Sequence, residues 1–371
     1  MGLGEDIRHV AEALSENEVP FCILDVGLGR GFSQSDTSVE RWISDRPLYR
    51  INLFCQNGVE TSKYLGKKGR GVLQGRYSIG LWPWELPEWP ESCRHAYDCV
   101  DEIWGISSFT ATAYRSFYGP VHRMGLPVSV ENIAPMERRD FNLPEDAYLY
   151  QFSFDLHSKT ARKNPFGLIK AFQSAFPSER KEEVGLVLKV NHAKMLRGDC
   201  LKLRWMAACD PRIHLIERSM RRPEVLALTK TCDCYISLHR AEGFGRGIAE
   251  AILLDRQVIA TGYSGNMDFC HGPRVAIVRS GMIPLKRGEY FYGDGQKWAD
   301  PDLDHAAELM REIRHHPRDI SIGQPDLSPS TVGALYAKRL REIWEEHCGS
   351  LILSLMPSSP APLGLVIDLG S

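Results

Sequence analysis

Short apolar runs rich in β-branched and aromatic residues alternate with amphipathic stretches along most of the chain. In the first half, strand-like runs cover 21–26, 49–55, 77–81, 102–106 and 121–125, with helical periodicity at 5–14 and 108–117. The alternation breaks near 135–144, where the charged, Pro-flanked segment MERRDFNLPED reads as a linker. It then restarts. Strand-like runs at 148–154, 184–190, 213–216, 234–238, 258–261 and 275–278 are separated by helical patterns such as 165–176 and 224–231. Pro223 falls where the first turn of a helix tolerates proline. Segments 303–314 and 331–347 read as closing helices. Strands that alternate with helices build βαβ units and parallel sheets. The pattern therefore predicts an α/β protein with an N-terminal Rossmann-like domain over 1–135, a linker over 136–146, a second Rossmann-like domain over 147–320 and a closing helix over 321–349.

The two ends break the pattern. MGLGED leads directly into a helix, whereas the glycine turn of a Rossmann domain follows a strand. At the other end, the apolar tail 350–371 finishes in a strand-like run over 363–369. Two readings stand. Either the tail, from this chain or a neighbouring copy, fills the empty first-strand slot, or it is an unstructured extension.

A chain of 371 residues exceeds one ordinary core and suits two domains of roughly 150–200 residues. A formal net charge of −2 argues against a general nucleic-acid binder. The ten cysteines show neither CxxC nor zinc-finger spacing, which points to buried thiols in a reducing compartment and to no metal site. Residues 1–20 lack the pattern of a secretory signal, and no apolar run reaches the roughly 18 residues of a membrane span. The expectation is a cytoplasmic protein, with peripheral contact at the inner membrane face left open.

Three loops carry candidate chemistry, each after a strand of the second half. The first is EGFGRGIAE, from Glu242 to Glu250. Gly243 and Gly245 let a ligand approach the backbone around Phe244, and a helix start beyond them suits a diphosphate. Glu242 and Glu250 are placed to accept hydrogen bonds from hydroxyl groups. The second is SKTARKNP, which puts Lys159, Arg162 and Lys163 at a strand's C-terminal end, the edge where doubly wound sheets bind ligands. The third is TGYSGNMD, where Ser264, Gly265 and Asn266 offer backbone and side-chain donors. Taken singly, each also reads as a solvated turn; their coincidence in one domain carries the argument. In the first half, Gly2 and Gly4 form a weak phosphate-turn candidate. Trp82, Trp84 and Trp89, with Glu85 among them, read equally as a sugar-stacking wall or as core.

Here the chain resembles retaining glycosyltransferases of family 4, and within them members from bacterial polysaccharide clusters. The match is specific over 147–280 and looser over 1–135. It rests on the E-x7-E pair in SLHRAEGFGRGIAEAILL, on RKNP, on YSGNMDF, and on GRYSIGLWPWELPEWP and VDEIWGISSF. The resemblance implies a GT-B fold, two Rossmann-like domains facing a central cleft. It implies transfer of a hexose, with mannose as one candidate, from a GDP- or UDP-linked donor to a growing glycan or lipid-linked saccharide. It further implies that Glu242 contacts the donor sugar, Glu250 holds the ribose, and Lys163, Arg162 and the backbone at Phe244 and Gly245 bind the diphosphate. Gly2, Gly4, Trp84 and Glu85 would lie on the acceptor side, and neither metal nor cofactor would be needed. Two other classes remain. A nicotinamide oxidoreductase is disfavoured because no strand–GxGxxG–helix unit with a following acidic residue is present. A non-catalytic GT-B module that binds glycan or a partner transferase is kept open by the missing first strand.

Overall fold

The computed structural model describes residues 3–25, 38–180, 182–192, 197–319, 321, 323–348 and 364–367. The chain divides into two compact units, Met1–Ser129 with Asp326–Ser371, and Val130–Pro325.

In the first unit the strands are β1 (Ile23–Asp25), β2 (Ile43–Ser44), β3 (Ile51–Phe54), β4 (Tyr77–Trp82), β5 (Glu102–Gly105) and β6 (Val121–Arg123), joined by a tail strand, Gly364–Ile367. Among the described residues these seven form one parallel sheet in the order β2-β1-tail-β3-β4-β5-β6. Leu365 lies opposite Ile23 and Leu53, and Val366 opposite Leu24 and Phe54. In a doubly wound sheet the first strand occupies the middle, with later strands added on either side. The tail strand sits in that slot.

Helix α1 (Leu3–Glu16) buries Ile7, Val10, Ala11 and Leu14 and packs along the closing helix Pro329–Ile343. Gly333 makes this approach possible, since a Cβ there would stand 2.3 Å from the Ala13 carbonyl oxygen. Two further helices, α2 (Gly58–Lys68) and α3 (Ser108–Ala113), start on side-chain caps: Asn57 accepts from the Glu60 amide and Ser107 from the Thr110 amide. The closing helix also carries Arg339, which donates to the fully buried Glu102 carboxylate at 2.6 Å.

In the second unit, β7 (Tyr148–Asp155), β8 (Val184–Asn191), β9 (Ile213–Ile216), β10 (Cys234–Ser237), β11 (Gln257–Thr261) and β12 (Val275–Val278) form a parallel sheet in the order β12-β11-β10-β7-β8-β9. The strand order reverses between β7 and β10, which makes the loops after these two strands the switch point of the sheet. The helices are α4 (Thr160–Lys163), α5 (Pro165–Ala175), α6 (Arg197–Cys209), α7 (Arg222–Thr231), α8 (Arg246–Leu253) and α9 (Leu303–His315). A separate antiparallel hairpin, β13 (Ser280–Pro284) and β14 (Lys297–Pro301), follows β12.

The segment 136–146, expected as a linker, packs inside this second unit. Phe141 and Leu143 are buried in one cluster with Leu149, Val187 and Leu228. Its charge is structural: Arg138 donates to the Asp233 carboxylate at 2.7 Å and to the carbonyl oxygens of Glu145 and Ala147. The chain passes between units at Ser129/Val130 and returns at Pro325/Asp326, so the closing helix belongs to the first unit. Among the described residues, no helix is long and apolar enough to cross a membrane.

Candidate functional site

Both loops at the switch point are shaped by backbone conformations that ordinary residues avoid. After β7 the chain makes a short turn at Leu156–Ser158, passes through Lys159 at φ 63°, forms α4, and passes through Asn164 at φ 53° into α5. Asparagine tolerates this left-handed region, and the Asn164 side chain is put to use. It accepts from the Gly167 amide at 3.3 Å and donates to the Leu238 carbonyl oxygen at 3.0 Å, tying the first loop to the end of β10. Lys159 has no such adaptation, so its conformation is imposed by the fold around it.

The consequence is that Arg162 turns inward and is only 4% exposed. Its Nη1 donates to the Ala241 carbonyl oxygen at 2.9 Å and to Glu242 Oε2 at 3.0 Å, and its Nε donates to the Ser158 carbonyl oxygen at 3.2 Å. Lys163 Nζ donates to the other oxygen of the same carboxylate. One buried carboxylate thus lies between two cations. Burial pushes the Glu242 carboxyl up, but Lys163 and Arg162 outweigh it and bring it down to about 2. Glu242 is therefore ionised at neutral pH. Two cations against one carboxylate leave the cluster with positive charge in excess at a sheet edge.

Glu242 is braced from the opposite side by the loop after β11. Its amide donates to Ser264 Oγ at 2.8 Å, and the Gly265 amide donates to its carbonyl oxygen at 2.9 Å. A Cβ at position 265 would meet the Gly243 carbonyl oxygen at 1.9 Å, so only glycine allows the two loops to lie so close. Asn266 donates to the Thr261 carbonyl oxygen and sits 3.0 Å from His239 Nε2. His239 Nε2 also faces the Tyr263 carbonyl oxygen at 3.3 Å, so it carries the proton, while Nδ1 accepts from the Ser237 hydroxyl at 3.0 Å. Burial keeps this imidazole below its ordinary value, and hence neutral. Gly245, at φ 95°, starts α8, whose positive end suits an anion. Phe244 is buried against Phe269, with ring centroids 5.0 Å apart. Inside α8, Glu250 is buried and accepts from Arg222 Nη1 at 2.6 Å.

The structure thus brings Arg162, Lys163 and Glu242 into direct contact and assembles Gly243, Phe244, Gly245, Ser264, Gly265 and Asn266 around the same loop. It engages Ser264 and Asn266 in holding that loop. In the first unit, Trp82, Trp84 and Trp89 are core. Trp84 is 4% exposed, packs edge-on against Trp89 at 4.8 Å, and donates from Nε1 to the Glu88 carbonyl oxygen. A ring so enclosed offers no face for stacking, which corrects the wall reading of Trp84. Glu85 beside it is half-buried. Gly4 lies in the first turn of α1, while Gly2 lies outside the described residues. One group able to offer metal ligands is present among the described residues: Asp155, His157 and His192, with ligand atoms within 4.8 Å of one another. Asp155 already accepts from the His157 amide and lies 2.8 Å from His192 Nδ1.

Sequence reasoning missed three residues here. His239 and Arg240 lie within SLHRAEGF, next to Glu242, and their proximity to it was the available signal. Arg240 donates to the Ala161 carbonyl oxygen and to Asp300. Arg222 lies 28 residues before Glu250, and nothing local in the sequence joins them.

No family model and no curated protein matches the sequence. Solved structures do match. HepE from Anabaena in complex with UDP and glucose is 15% identical over 92% of this chain and 96% of that chain, with a TM-score of 0.63. A glycosyltransferase from Rickettsia africae is 13% identical over 91% and 94%, with a TM-score of 0.58. The α,α-trehalose 6-phosphate synthase from Burkholderia multivorans is 10% identical over 83% and 73%, with a TM-score of 0.55. These likenesses establish the fold: the chain is α/β with the GT-B fold, built of two Rossmann-like domains.

Proposed function

We propose that the protein is a retaining, metal-independent glycosyltransferase that moves a hexose from a nucleoside diphosphate sugar to a growing glycan or a lipid-linked saccharide. The observation that carries this reading is the buried Glu242 carboxylate held between Arg162 and Lys163 at the switch point of the second sheet. The excess positive charge favours a diphosphate, and charge-assisted bonds from Arg and Lys to phosphate oxygens are strong. When the bond between the anomeric carbon and the diphosphate oxygen breaks, negative charge grows where these cations and the start of α8 lie. The acceptor hydroxyl bonds to the anomeric carbon on the face the leaving group vacates. Its proton passes to a diphosphate oxygen. Glu242, ionised throughout, accepts hydrogen bonds from the donor sugar's hydroxyls. Glu250, oriented by Arg222, holds the ribose.

HepE is described with UDP and glucose and with UDP-glucose, so a UDP-linked hexose is the first donor to test and GDP-mannose the second. A bacterial surface polysaccharide is the proposed product, made at the cytoplasmic face of the membrane. The test is a thermal-shift screen against UDP, GDP, ADP and their hexose conjugates, with magnesium and with EDTA. A ligand that binds only the folded state raises the melting temperature. The expected result is a rise with one base that EDTA leaves unchanged. A rise that EDTA abolishes would overturn metal independence and direct attention to Asp155, His157 and His192. No rise with any nucleotide would overturn the donor site.

A further inference from the structure

The hairpin β13–β14 is a part of the second unit that the proposed chemistry leaves unused. Its strands pair from Ser280 with Pro301 through to Pro284 with Lys297. The loop at its tip, 285–296, carries three consecutive aromatic residues, Tyr290, Phe291 and Tyr292. Phe291 is 53% exposed and Tyr292 46%. Tyr290 beside them is half-buried, and exposed aromatic rings side by side call for a reason.

The tip is fixed in place. The Leu285 amide donates to the Gln296 carbonyl oxygen at 2.9 Å, and the Lys286 amide donates to Glu289 Oε2 at 2.8 Å. The base is tied to the catalytic loops through Arg240, two residues before Glu242. The Ala299 amide donates to the Arg240 carbonyl oxygen at 3.0 Å, and Arg240 reaches Asp300 and the Ala161 carbonyl oxygen at 3.2 and 2.8 Å. These anchors set the tip against the basic loop. Lys159 Nζ lies 4.6 Å from the Phe291 ring centroid, and the Arg162 guanidinium carbon 5.7 Å from that of Tyr290. Arg162 is the same residue that grips Glu242.

We propose that Tyr290 and Phe291 form a stacking wall for a pyranose ring at this site. The inference rests on the proposed function and adds to it the residues that hold the sugar. A pyranose presents an apolar C–H face, which an aromatic ring covers well, and a glycosyl diphosphate presents phosphate oxygens a few ångströms away. The tip supplies rings and the loop beneath supplies cations. The wall also lies on the Glu242 side of the site, through Arg162, whereas Glu250 is held by Arg222 on another helix. That arrangement assigns the rings to the sugar rather than to the nucleobase. The ring that stacks is that of the donor hexose or that of an acceptor saccharide, and the experiment separates them.

In the full chain, affinities for UDP, for UDP-glucose, and for glucose in the presence of the saturating, non-transferable C-glycosidic analogue of UDP-glucose are measured by calorimetry, for wild type, Phe291→Ala, Tyr290→Ala and Phe291→Trp. Should the thermal-shift screen select another base, its diphosphate and hexose conjugate take the place of these probes. The expected result is that Phe291→Ala and Tyr290→Ala bind UDP within twofold of wild type. They lose fivefold or more toward UDP-glucose if the donor ring stacks, or toward glucose if the acceptor ring stacks. Phe291→Trp restores the loss. An equal loss for UDP and UDP-glucose would assign the rings to the nucleotide and overturn the proposal. So would unchanged affinities throughout in variants that melt like wild type. A wild-type protein that binds no nucleotide sugar overturns the proposed function itself, and the wall with it.

Discussion

At the scale of single residues, Glu242 joins stability to the proposed chemistry. Its carboxyl is held at about 2 against an ordinary 4.5, because the attraction of Lys163 and Arg162 exceeds the penalty of burial. A carboxyl depressed in the folded state stabilises the protein fully above its unfolded value. That contribution is lost as the pH falls from about 4.5 toward about 2. Glu242→Gln keeps the shape and removes the charge, leaving Arg162 buried without its counter-ion. Breaking a buried pair in this way costs about 3 kcal/mol or more. The stability gap between wild type and Glu242→Gln, read from urea unfolding, should be largest at pH 7 and shrink below pH 4.5. A gap that does not change with pH would mean that the pair contributes nothing through charge. Turnover of the variant should fall about a hundredfold or more, the size seen when one preorganised polar group at a reacting centre is lost, with nucleoside diphosphate affinity largely kept. Lys163→Ala retains the Arg162–Glu242 contact and should instead weaken nucleotide affinity and turnover together.

At the scale of elements, the site depends on how closely two loops approach. Gly265 is fixed by the Gly243 carbonyl oxygen, 1.9 Å from where its Cβ would stand. A backbone atom cannot swing aside as a side-chain tip can. Gly265→Ala should therefore push the Glu242 loop away, lower stability by about 2 kcal/mol or more and lower turnover. Gly281→Ala, in the hairpin with nothing within 4 Å of the added methyl, should leave both unchanged. Equal melting temperatures for the two variants would show that the loops yield freely. The strands of the second unit and the clustering of its loops could be read from the sequence because β-branched runs such as 184–190 and 258–261 are buried on both faces. The hairpin could not. SGMIPLKRGEYFYGDGQKWADP mixes Pro, Gly and charge without alternation, and the bond that anchors it, from the Ala299 amide to the Arg240 carbonyl oxygen, joins residues far apart in the sequence. The tryptophans illustrate the same limit from the other side. Trp84 reads alike as wall or core in sequence, and only its neighbour Trp89 and the bond from its Nε1 to the Glu88 carbonyl oxygen make it core.

At the scale of the molecule, chain order and spatial order diverge twice. The Pro-flanked, charged segment at 136–146 looks like a linker because its composition is that of a loop, yet Arg138 turns it into a brace across the starts of β7 and β10. The first unit takes its middle strand from the far end of the chain, a pairing of residues more than three hundred positions apart that no local pattern can encode. The tail strand is flanked on both sides, by β1 and β3, so its removal would leave two unpaired edges in the centre of a parallel sheet. Val366 pairs with Leu24 on one side and Phe54 on the other. Proline there removes a ladder amide donor and is not tolerated in a central strand. Val366→Pro and deletion of 357–371 should each lower the melting temperature by several degrees. The strand pairs with its own chain, so the wild-type melting temperature should not change with protein concentration. A melting temperature that rises with concentration would show that the slot is filled by a neighbouring copy. Variants that melt like wild type would show that the sheet holds without the tail strand.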